Sequence, residues 1–181
     1  MSLLTIYPDN QPNAVALRTE DPGQIATALR EIKVRFERWS LPVTVEPGAE
    51  PEQILESYRP YLDRLIGEGG AGSADVIKLT PDHPSLPALR AKFLDEHTHT
   101  EDEVRFFVSG AANFVIHENG RVYDARCTAG DLISIPANIK HWFETGDRPE
   151  FTVLRIFTDQ AGWVPHYTGD DISRHFPAAQ G

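Results

Sequence analysis

In the stretch His97-Thr98-His99-Thr100-Glu101-Asp102-Glu103, two imidazoles and two carboxylates stand at odd-numbered positions. Residues two apart on a strand point to the same face. His97 and His99 can therefore reach one ion. Glu103 opens the next apolar run at the same parity and can turn its carboxylate the same way. A third imidazole, His141, follows Pro136 and Asn138 and would return to the first pair from a strand end or turn. Three imidazoles and one carboxylate suit a divalent first-row metal such as iron, nickel, copper or manganese. Four protein ligands on an octahedral ion leave two positions open, as catalysis requires; the carboxylate and the lack of cysteine ligands speak against a structural zinc site.

Other residues of the right type are weighed against this set. Glu101 shares the parity of Glu103 but falls at the turn after His99, and reads as a solvated acid. Arg105 shares parity with Glu103 and should face the same cavity, either binding a substrate anion through charge-assisted bonds or pairing with a nearby carboxylate. Arg155 lies in the apolar run Thr-Val-Leu-Arg-Ile-Phe, where a buried charge needs a partner. His83, His117, His166 and His175 fall in loops, at a hairpin end or near the C-terminus and read as ordinary exposed histidines. Cys127, the single cysteine, reads as a partly exposed free thiol.

The elements that must position these groups are legible in outline. Leu3 to Tyr7 reads as a strand closed by Pro8-Asp9-Asn10, with Ala14 to Arg18 as its partner. Asp21-Pro22 marks a helix start, followed by Ile25, Leu29, Ile32, Val34, Phe36 and Trp39 at loosely helical spacing. Pro51 starts a second helical stretch with an apolar stripe from Ile54 to Ile66, ended by the glycines of 67–72. From Ala74 onward short β-rich runs alternate with turns: 76–79, 103–108, 113–117, 121–125, 131–135 and 152–157. Asn119-Gly120 is a hairpin signal. Such spacing predicts a β-sandwich or barrel. The expected organisation is one domain, with a helical N-terminal layer over 1–73, a barrel over 74–160 and a C-terminal segment over 161–181.

The chain has 181 residues and a formal net charge of −10. Its 17 Lys and Arg are scattered among 27 acids, so no basic patch speaks for nucleic acid. One cysteine permits no internal disulfide, and no run approaches the length of a membrane helix. A cytoplasmic protein with no membrane or nucleic-acid partner is expected.

The two histidine segments resemble the paired motifs of the cupins. HxHxxxE is followed after six residues by Gly110, and Gly130, Pro136, Asn138 and His141 reproduce the second motif with Asn138 in place of a glycine. Asn tolerates the left-handed backbone such a position uses. Ala91 and Thr145 are two further departures, and none of the three alters a ligand position. The motif spacing selects Glu103 over Glu101. The longer stretches AKFLDEHTHTEDEVRFFVSG and IPANIKHWFETG, Gly162-Trp163-Val164 and Tyr167-Thr168-Gly169-Asp170 resemble the acireductone dioxygenases of methionine salvage over nearly the whole chain.

That resemblance implies a cupin-type double-stranded β-helix, a jelly-roll barrel with N-terminal helices packed outside. It implies one Fe2+ or Ni2+ per chain on His97, His99, Glu103 and His141, and a monomer. The substrates implied are an acireductone (1,2-dihydroxy-3-keto-5-methylthiopentene) and O2. With iron the products would be formate and 2-keto-4-methylthiobutyrate; with nickel they would be formate, carbon monoxide and 3-methylthiopropionate. The metal would act chiefly as Lewis acid and template. Arg105 and Arg155 would line the site, and Phe93 and Trp163 would shape the pocket. The alternatives are a metal-binding cupin with isomerase or decarboxylase activity, or one that only binds a small ligand.

Overall fold

The computed structural model describes residues 1–41, 45, 49–69, 72–157 and 164–176. Its frame is one long strand, β6 (Glu103–Glu118), shared between two antiparallel sheets. The first half of β6 pairs with β8 (Asp131–Ile135) and β10 (Phe151–Phe157), which extend the sheet to β3 (Arg35–Arg38) and β4 (Ser73–Leu79). The second half pairs with β7 (Arg121–Thr128) and β9 (Lys140–Glu144). That second sheet continues through β1 (Leu3–Pro8) to β2 (Leu17–Thr19) on one side. On the other it continues through β5 (His97–Thr98) to β11 (His166–Tyr167).

The expected break between two strands at Ser109-Gly110 is instead a bend inside β6. Gly110 has φ 72°, and a Cβ there would lie 1.9 Å from the Glu150 carbonyl oxygen. The bend reverses the phase of burial. Before it Phe107 faces the interior, and after it Ala112, Phe114 and Ile116 do so. Strands that pass from sheet to sheet at such bends make the corners of a β-sandwich. Asn119 and Gly120, both at positive φ, form the expected hairpin turn between Glu118 and Arg121.

Three apolar clusters hold the layers. Between the sheets lie Leu4, Ile6, Phe107, Phe114, Ile116, Tyr123, Ile133 and Val153, with Cys127 fully buried among them. The thiol is thus not the partly exposed group expected from its place near a turn; it is packed inside the sandwich, and burial pushes it well above its ordinary pKa. Helices α2 (Pro51–Ser57) and α3 (Arg59–Gly69) cover the outer face of the first sheet. There Ile54, Tyr58, Leu62 and Leu65 pack on Phe106, Leu132 and Leu154. Ile172 and Phe176 cover the outer face of the second, on Tyr7, Val115, Val122 and Trp142.

The N-terminal region is not wholly helical. Helix α1 (Pro22–Arg30) starts where expected, with the Asp21 carboxylate accepting from Gln24 N at 2.8 Å. It stops at Arg30, Lys33 takes φ 64°, and Arg35–Arg38 pairs with Ser134–Asp131 of β8. Phe36 and its neighbours thus belong to a strand, because sheet pairing overrides a loose helical spacing. A further helix, α4 (Leu86–Phe93), lies between β4 and β5 where no element was read. No described helix is long and apolar enough to cross a membrane.

Candidate metal centre

The site lies at the end of the sandwich where β5, β9 and the start of β6 meet. β5 is only two residues long, yet it places His97 directly opposite His141 of β9, and the ring centroids are 4.7 Å apart. His99, just beyond β5, brings its ring within 5.0 Å of His97 and 5.2 Å of His141. Asn138 holds this corner: at φ 66° it takes the left-handed backbone expected of a glycine position, and its N–H donates to the His99 carbonyl at 2.8 Å. Glu103, the first residue of β6, turns inward. His97, His99, Glu103 and His141 are each no more than 3% exposed.

The hydrogen bonds behind the rings fix which nitrogen is free. Nδ1 of His97 lies 2.7 Å from the Asp95 carbonyl, that of His99 3.2 Å from the Val164 carbonyl, and that of His141 2.8 Å from the Ile139 carbonyl. A carbonyl can only accept, so each Nδ1 carries the proton and each Nε2 presents a lone pair. Burial, with the neighbouring His141, pushes His97 down to a pKa of about 4, which keeps its imidazole neutral near pH 7. Burial alone would raise Glu103. The charge of Arg105, which also donates to its Oε1, outweighs it and holds the carboxylate well below its ordinary range.

Glu103 divides its two oxygens between two tasks. Oε1 accepts from Arg105 Nε at 2.8 Å and Nη2 at 2.6 Å. Oε2 lies 3.0 Å from His141 Nε2 and 3.2 Å from His99 Nε2. Three lone-pair nitrogens and one anionic oxygen thus converge in a buried space with acceptors facing acceptors. This donor set fits a divalent cation, and the ligand nitrogens of the three histidines lie within 4.8 Å of one another. Its hard-oxygen and imidazole composition suits first-row ions.

Beside the centre is a cavity of about 180 Å³ whose lining includes Arg105, Arg155, Phe93, Phe143, Phe151 and Leu89. Phe93 ends α4, with its ring 5.9 Å from that of His97. Arg105 is 4% exposed and stacks 4.8 Å from the Phe143 ring. Arg155 lies opposite Arg105 across β10 and β6 and forms a bidentate pair with Asp75 of β4, at 2.8 and 2.5 Å. It therefore both lines the cavity and carries the ion pair its apolar strand demands. Trp163 lies outside the described residues.

Sequence reasoning overlooked His117. It is not an ordinary exposed histidine: its side chain is 13% exposed, and Nδ1 lies 2.6 Å from Oε2 of Glu96, whose side chain is fully buried. That hydrogen bond raises the His117 pKa above its ordinary value, against the effect of burial. In Glu96 the burial that would raise the pKa is outweighed by hydrogen bonds from His117 and Thr168. The only signal in the sequence was an acid immediately before His97, which periodicity does not mark as buried.

The profile of the ARD/ARD′ family matches residues 3–165. The acireductone dioxygenase of Granulibacter bethesdensis is 64% identical over 179 residues, covering 99% of this chain and 100% of the relative. That of Acidiphilium cryptum is 62% identical over 99% of both chains. Among solved structures, the acireductone dioxygenase from Bacillus anthracis with a cadmium ion in its active centre superposes with a TM-score of 0.80. It is 31% identical and covers 92% of this chain and 98% of its own.

Proposed function

Because this chain belongs to the ARD/ARD′ family and is a metal-dependent acireductone dioxygenase of the cupin fold, we propose that His97, His99, Glu103 and His141 are the ligands of its metal. The observation that carries this reading is the convergence of three Nε2 lone pairs and Glu103 Oε2, each oriented by a bond from behind. The ion is Fe2+ or Ni2+, one per chain, and when bound it supplies Lewis acidity toward an enediolate.

The protein's own groups bind, orient and exclude water. Arg105 holds Oε1 of Glu103, which leaves Oε2 as the ligand atom. With Arg155 it also brings guanidinium groups to one wall of the cavity, suited to charge-assisted bonds with an anionic substrate. Ile77, Leu79, Leu89, Phe93, Phe143 and Phe151 line the same cavity; they accept the apolar tail and keep bulk water from the reacting end. The Arg155–Asp75 pair fixes one guanidinium to the sheet, so the charge is preorganised and does not have to be recruited by the substrate. The whole chain works as one catalytic unit.

The test is O2 uptake with acireductone generated anaerobically, using metal-free protein reloaded with Fe2+ or Ni2+ and analysing keto acid and carbon monoxide. Metal-dependent uptake is expected, with keto acid from the iron form and carbon monoxide from the nickel form. Glu103→Ala should abolish stoichiometric binding of either ion. Stoichiometric metal with O2 uptake no faster than the uncatalysed rate would reverse the assignment of the reaction. Full binding by Glu103→Ala would reverse the assignment of the ligand.

A further inference from the structure

The oxygen that orients His99 belongs to a distant segment of the chain. Nδ1 of His97 and of His141 are held by the carbonyls of Asp95 and Ile139, two residues away on their own loops. Nδ1 of His99 is held by the carbonyl of Val164. This segment has little side-chain burial of its own: Val164 is 57% and Tyr167 53% exposed. Its backbone pairing with the ligand strand spans only His166 opposite Thr98 and Tyr167 opposite His97.

Besides the Tyr167 hydroxyl, which donates to the Lys92 carbonyl at 2.9 Å, what anchors it is a polar junction built on the buried Glu96, one residue before His97. The Glu96 carbonyl accepts from Thr168 N at 3.1 Å, and Glu96 Oε1 accepts from the Thr168 hydroxyl at 2.8 Å. The other carboxylate oxygen takes His117 Nδ1 at 2.6 Å, and His117 Nε2 lies 3.4 Å from Asp9 Oδ2. The Asp9 backbone N–H is itself bonded to the Gly120 carbonyl of the hairpin turn. Glu96 is thus fixed from behind by His117 on the long central strand, and it grips the returning segment from the front.

We propose that Glu96, Thr168 and His117 are positioning residues that hold segment 164–168 on the ligand strand, so that the Val164 carbonyl orients His99 toward the metal. The proposal rests on His99 being a ligand, and it assigns the control of one ligand in four to a junction that does not touch the ion. Outer partners of ligating histidines commonly alter metal affinity by about 10–100-fold. The loss here is specific to His99, because the other two rings are braced locally.

The experiment uses the full chain loaded with Ni2+. Release into excess chelator is followed in wild type, Glu96→Ala, Thr168→Val and Thr168→Ser. In parallel, the paramagnetically shifted Nδ1–H resonances of the bound histidines are tested for exchange with solvent. Release about 10-fold or more faster is expected in Glu96→Ala and Thr168→Val, with the His99 proton alone losing protection. Thr168→Ser, which keeps the hydroxyl, should restore both readouts. Thr168→Val removes one hydroxyl from an exposed residue, so it remains interpretable if Glu96→Ala does not fold. Unchanged release and a protected His99 proton in Thr168→Val overturn the proposal while leaving the ligand set standing. Equal loss of protection at all three histidines also overturns it, since that is general loosening. A wild-type chain that fails to take up one Ni2+ overturns this inference together with the ligand assignment.

Discussion

Asp124 of β7 has the largest upward pKa shift among the described carboxylates outside the metal site. Burial raises it to about 6 from an ordinary 3.8, against the Asn113 hydrogen bond and Arg126, with Glu144 adding to the rise. A raised carboxyl favours the protonated form in the folded state, so its contribution is fully present below about 3.8 and is lost as pH rises through 6. At pH 8 the ionised group is a cost of roughly 1–3 kcal/mol. Asp124→Asn is neutral throughout and can still accept from Asn113. It should raise the urea midpoint at pH 8 and give no gain near pH 3.5; an equal gain at both would assign the effect to packing. The candidate ligands His97, His99, Glu103 and His141 could be picked out at this scale because parity and motif spacing are sequence properties. The junction of Glu96 and His117 was not, since two residues 21 apart meet through strand pairing that no local pattern encodes. Arg155 shows the intermediate case: its apolar run announced the need for a partner, and only β4 could say that the partner is Asp75.

Among the elements, β6 carries most of the geometry. Its bend at Gly110 lets Glu103 and Arg105 face inward before the corner and Phe114 and Ile116 after it. Gly110→Ala combines a left-handed φ with a backbone oxygen 1.9 Å from the new carbon. It should destabilise by more than the ~1 kcal/mol of a left-handed alanine alone, because Glu150 must move. A denaturation midpoint close to wild type would show that the corner can shift. Strand positions, the Asn119-Gly120 hairpin and the Asp21-Pro22 helix start were legible from turn and cap chemistry. The bend was read as a break because glycine marks both equally in sequence. A helix is expected over β3 because Ile32, Phe36 and Trp39 satisfy a loose helical spacing while Ile32, Val34 and Phe36 satisfy an alternating one; β8 decides between them.

For the whole molecule, the proposed ligands come from β5, β6 and β9 and the residue just past β5, so an ion that binds all four would tie together strands that an unfolded chain keeps apart. Binding to the folded state alone stabilises it by about 2.7 kcal/mol at 100 times the dissociation constant. Added Ni2+ should raise the melting temperature of the metal-free protein in a concentration-dependent way, and excess chelator should reverse it. Glu103→Ala should show no such rise. A melting temperature indifferent to Ni2+ would place the ion elsewhere or nowhere. The cupin frame and its helical cover were legible as an outline; the strands that the first 40 residues add to the barrel were only partly so. Those strands bear on how the protein is made. β1 finds its main partner in Arg121–Arg126, and β3 finds its own in Asp131–Ser134. During synthesis these first segments leave the ribosome with bare edges and wait for some hundred more residues before the sandwich can close over them. An unpaired edge exposed for that interval invites pairing with the wrong chain. The part of the protein made first is thus the part finished last.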